Sequence, residues 1–63
     1  MTKDELVEIM SNSVEETNRR HATSRNMPMD EYEVLAKWNR PNLDYTNEMI
    51  VEELVRKNII SVE

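Results

Sequence analysis

The chain contains no glycine. Tight hairpins of type I′ or II′, phosphate-cradling loops and nucleophile elbows all place glycine where φ is positive or where backbone approaches a ligand closely. A chain of 63 residues without it is left with helices joined by simple connections, and its Glu, Leu, Met, Lys and Arg content favours helix as well. Cysteine is also absent and there is one histidine, which excludes a disulfide framework and a zinc site of Cys/His type. One small helical domain over 1–63 is the most this length supports, and it would bury only about 60% of its unfolded surface. Such a chain relies on close helix packing or on self-association. No apolar run approaches the roughly 18 residues of a membrane span, and no leader pattern opens the chain. A cytoplasmic protein without membrane contact is the expectation.

Thr2-Lys3-Asp4-Glu5 fits a capping box, with Met1 and Leu6 at the staple positions. Asp4 and Glu5 complement the positive end of the helix dipole. From there Leu6, Val7, Met10, Val14, Thr17 and His21 share one side, turning polar after Val14, so a long first helix is expected to reach residues 22 to 25. Arg19, Arg20, His21 and Arg25 then form a basic patch in an acidic chain of net charge −5. Cations in the last turns of a helix offset the negative end of its dipole, which is the ordinary reason for such a cluster.

The segment Met27 to Trp38 holds the only Trp, one of the two Tyr and two of the five Met. On a helix, Val34, Trp38, Leu35, Tyr32, Ala36 and Met29 sweep roughly 220°, an arc wide enough to touch more than one neighbour. Either Pro28 stands in the first turn, or Asp30 is the N-cap with Glu33 at N3. Pro41 disfavours helical geometry at Arg40, so this short central helix should stop by Asn39. Arg40 to Tyr45 then reads as an ordered loop anchored by Leu43 and Tyr45, and Thr46 as the N-cap of a third helix. On that helix Ile50, Leu54, Val51 and Val55 form one apolar face. Glu52 with Arg56 and Glu53 with Lys57 are spaced for ion pairs, each contributing roughly 0.2–0.5 kcal/mol. Asn58 suits the left-handed position after the last turn. Ile59, Ile60 and Val62 follow as an extended tail that either folds back or pairs with another chain.

Catalytic chemistry has few carriers here. His21 is the only side chain that ordinarily titrates near neutrality, and its helical neighbours Thr17, Asn18 and Arg25 include no carboxylate to orient an imidazole. Carboxylate pairs such as Glu8 with Glu15 or Glu48 with Glu52 are common on any solvated helix face. No enzyme, cofactor or metal site is expected. Two roles compete. In the first, Met29, Tyr32, Val34, Leu35, Trp38 and Tyr45 supply a partner-binding patch, since Met adapts to irregular surfaces and Trp and Tyr concentrate at hot spots. In the second, the Arg19 to Arg25 arm contacts nucleic acid, or the acidic faces imitate it. The charge balance opposes phosphate binding. The expectation is therefore an all-α, three-helix domain that acts without catalysis, as a regulatory or inhibitory protein docking on another protein and associating as a homodimer.

Overall fold

The computed structural model describes residues 1–63 and contains two helices, α1 (Lys3–Ser24) and α2 (Met29–Arg56), folded as an antiparallel hairpin. The first helix begins as its sequence demands. The Glu5 amide donates to the Thr2 hydroxyl at 3.1 Å, and the Thr2 amide donates to the Glu5 carboxylate at 3.1 Å. Both helices end without glycine by the same device. The Asn26 amide donates to the Thr23 carbonyl and the Met27 amide to the Ala22 carbonyl, while Asn58 and Ile59 bond in the same pattern to Val55 and Leu54. Asn26 (φ 58°) and Asn58 (φ 60°) occupy the left-handed position, which asparagine tolerates better than most residues.

The three-helix expectation is wrong at Pro41. The residues anticipated as a loop, Arg40 to Tyr45, lie inside α2, and Thr46 is not an N-cap but a mid-helix residue whose hydroxyl donates to the Asn42 carbonyl at 2.9 Å. An interior proline removes one helical hydrogen bond and crowds the carbonyl four residues back, at a cost of about 3 kcal/mol. Two features offset it. Pro41 and Lys37 are exposed, so the turn that loses a hydrogen bond lies at the surface of the protein and not in its seam. Arg40 meanwhile donates to Asp44 across the proline at 2.8 Å and to Asn12 of α1 at 3.0 Å, tying the turn on both sides of Pro41 to the hairpin. The N-terminus of α2 also differs from the capping-box alternative: Pro28 precedes the helix with no side-chain cap, and Asp30 and Glu31 lie in its first turn.

The seam between the helices is thin. Val7, Ala22 and Val51 are its only buried apolar residues, beside buried Ser11 and Asn47. The Asn47 amide group donates to the Ser11 hydroxyl at 2.9 Å, and no buried side-chain polar atom is left unpaired. The tail after Asn58 returns in cis: the Glu63 amide donates to the Met1 carbonyl at 3.0 Å, and the Met1 ammonium lies 3.3 Å from the Glu63 carboxylate. No helix is long and apolar enough to cross a membrane.

The result is a rod of 41 × 19 × 16 Å. Its radius of gyration of 13.8 Å exceeds the roughly 10.6 Å of a compact chain of this length. Its accessible surface of 5050 Å² likewise exceeds the about 4,250 Å² of a typical monomer of its mass.

Candidate docking surface

Continuity through Pro41 decides which side chains face α1. At about 100° per residue, Tyr32, Ala36, Arg40, Leu43, Asp44, Asn47 and Val51 share the side of α2 turned to α1. Opposite them, within about 60° of one another, stand Val34, Trp38, Tyr45 and Met49. Every one of these four is exposed, Trp38 at 79% and Tyr45 at 64%. Leu35, also exposed, borders the stripe on one flank, while Ile50, exposed too, lies further round at the angle of Tyr32. Had the chain broken at Pro41, the register of Tyr45 and Met49 relative to Trp38 would be free. In one helix they are held in line.

The inner face is polar where a small core is usually apolar. Arg40 lies 3.1 Å from Glu15 and 2.8 Å from Asp44, and the Glu15 carboxylate is the main influence holding its guanidinium in the charged form. The Ser11 hydroxyl, and then the Arg40 guanidinium, hold the Asp44 carboxyl below its ordinary value against the opposing effect of burial. The Tyr32 hydroxyl donates to the Glu15 backbone carbonyl at 2.7 Å, and burial, reinforced by the Glu15 charge, pushes its pKa up. At the open end Lys3 sits 3.2 Å from Glu48 and 3.1 Å from Glu52. Glu52 first and Glu48 second raise the ammonium pKa.

Of the residues singled out as partner-binding candidates, Val34, Leu35, Trp38 and Tyr45 lie together on the outer side of α2. Tyr45, expected in a loop as an anchor, is helical and points away from α1. Tyr32 lies on the opposite face with its hydroxyl committed to α1. Met29, at the start of the helix, is exposed beside Arg19, Arg20, Thr23 and Ser24. Met49, which the sequence reading assigned to a third helix, completes the exposed stripe, and Ile50, expected on the core face of that helix, is exposed at the margin nearer α1. Helical spacing alone would have revealed them had α2 been taken as continuous.

The basic patch is partly neutralised. Arg19 and Arg20 both pair with Glu16, and these two guanidinium groups, Arg19 foremost, lower the Glu16 pKa. His21 and Arg25 are exposed and make no ion pair. The expected Glu52–Arg56 pair is absent, because Glu52 turns to Lys3 and Arg56 pairs with Glu53, which also takes Lys57 at 3.4 Å. No group of three or more His, Asp or Glu side chains is placed to hold a metal ion.

No family model, no curated protein and no solved structure matches this chain.

Proposed function

We propose that this chain is a non-enzymatic regulatory or inhibitory protein that works by docking on another protein through the outer side of α2. One observation carries the proposal: Trp38, Tyr45 and Val34, on the outer side of α2, are more than half exposed, while the seam with α1 buries only Val7, Ala22 and Val51. Fully burying one large apolar side chain contributes about 1.5–3 kcal/mol, so most of the apolar free energy encoded in α2 is unspent within the single chain. Contiguous exposed apolar surface on a small soluble helix marks a place where another surface packs. Trp and Tyr are the side chains that dominate binding energies when such a face is covered.

Nucleic-acid binding has less behind it. Two of the three patch arginines are engaged by Glu16, and the continuous α2 leaves no separate third helix after Thr46 to enter a groove. The test compares native chain with a Trp38→Ser/Tyr45→Ser variant of equal helicity, each immobilised and exposed to the same protein mixture. A protein held by the native chain and lost from the variant supports docking through α2. Binding to DNA or RNA that weakens steeply with salt and disappears on Arg19→Ala with Arg20→Ala contradicts it.

A further inference from the structure

The exposed stripe on α2 has a symmetry that singles out its occupant. Trp38 and Tyr45 are equidistant from the bond joining Pro41 to Asn42, and so are Val34 and Met49. All four lie within about 60° on one side of the helix, over a length of roughly 22 Å at 1.5 Å per residue. A pattern that reads the same from both ends is self-complementary under a two-fold axis, which is the requirement for an isologous interface.

We infer that the outer face of α2 packs against the same face of a second copy of this chain, antiparallel, with the two-fold axis passing by Pro41 and Asn42. This rests on the reading of α2 as a docking face and names what it docks. Trp38 stacks on Tyr45 of the partner subunit, and Val34 meets Met49 of the partner subunit, each contact occurring twice. The result is a four-helix assembly with the two α2 helices at its centre and the two α1 helices outside.

Two further observations fit a second copy. The surface in excess of a compact monomer, 5050 Å² against about 4,250 Å², is about 800 Å², the amount each partner contributes to a standard stable interface. The outer side of α1 offers no comparable alternative, because Ile9 is its one exposed large apolar side chain, set among exposed Glu5, Asn12, Arg20 and Thr23.

The chain has no cysteine, so engineered thiols report register without interference. Sedimentation equilibrium of the native chain should show a dimer. The Trp38→Ser/Tyr45→Ser variant, of unchanged helicity because neither side chain is used within the hairpin, should dissociate with a constant raised at least about a hundredfold, two hot-spot side chains being lost from each subunit. Under mild oxidation a mixture of Val34→Cys and Met49→Cys chains should form a cross-linked heterodimer, and neither variant alone should cross-link efficiently. Efficient cross-linking of Val34→Cys with itself overturns the antiparallel register. A native dimer whose dissociation is unmoved by the Trp38/Tyr45 variant overturns the interface. A native chain that stays monomeric to millimolar concentration overturns the second copy; if its Trp38 emission is that of a water-exposed indole, docking on a different protein stands, and if the emission is strongly blue-shifted, both readings fall together.

Discussion

The two sides of α2 invert the usual arrangement of a small helical protein. The side turned to α1 carries Tyr32, Arg40, Asp44 and Asn47 among small apolar residues, joined by hydrogen bonds and ion pairs to Glu15, Asn12 and Ser11. The side turned to solvent carries Val34, Trp38, Tyr45 and Met49. Polar contacts are directional and lose free energy when mispaired, so they fix how the helices register, but each contributes only about 0.5–1.5 kcal/mol net. Apolar burial is non-directional and larger. The hairpin thus holds its geometry with the weaker kind of interaction and keeps the stronger kind for the surface it presents.

The largest expected effect tests whether α2 is one helix at all. Pro41→Ala restores an interior N–H and relieves the crowded carbonyl. After allowance for the extra freedom alanine gives the unfolded chain, it should raise unfolding stability by roughly 2–2.5 kcal/mol, measured by urea titration at fixed concentration. If residues 40–45 were a loop, the same substitution would leave stability unchanged or lower it, and the contrast between the two sides would dissolve. Next comes the inner face itself. Val51 is fully buried, and Val51→Ala should cost roughly 1.5–2 kcal/mol by lost transfer free energy and cavity formation.

Ser11→Ala sharpens the polar half of the comparison. It leaves the buried Asn47 amide without its acceptor and should cost about 1–2 kcal/mol, whereas a double Ser11→Ala/Asn47→Leu change should recover most of that loss. Recovery would show that the pair sets register more than it adds stability.

Titration separates the two sides without mutation. The Asp44 and Glu16 carboxyls have folded pKa values below their ordinary ones. Their contribution is therefore present above the unfolded carboxylate range of about 4 and is lost as pH falls through the lowered folded values. Lys3 is raised, so its contribution is complete below the ordinary lysine value of about 10.4 and is lost as pH climbs through the folded one. Thermal unfolding against pH should show a plateau between these limits, and Asp44→Asn should flatten the acid limb. The smallest effect belongs to the outer face: in chain dilute enough to be monomeric, Trp38→Ser should change unfolding stability by no more than about 0.5 kcal/mol, as surface substitutions ordinarily do.

Much of this architecture can be read in the sequence where the determinants are local. The Thr2–Glu5 capping box, the reach of α1 to Ser24 and the left-handed Asn58 each depend on a few adjacent residues, and each is present. The surplus arc around Trp38 is also legible, since periodicity alone shows that it exceeds what one neighbour covers. The proline is where local reasoning fails. Pro41 opposes helix by a known amount, and what overrides it is the tertiary grip of Arg40 on Glu15 and Asn12, which no spacing rule anticipates. The same misplaced break hid Met49 from the candidate patch and put Tyr45 in a loop instead of on the helix that carries Trp38. The Ser11–Asn47 pair was invisible for a related reason: the two residues are polar, lie far apart in sequence, and meet only once the hairpin closes.

The account turns on α2 running unbroken from Met29 to Arg56, because that continuity turns Tyr45 and Met49 into line with Val34 and Trp38. Backbone carbon chemical shifts of Asn39 to Thr46 measure it directly. Helical Cα shifts through these residues, with the Asn42 to Thr46 amides protected from exchange, are the predicted result. Coil shifts and fast exchange over Arg40 to Tyr45, between two helical stretches, would contradict it.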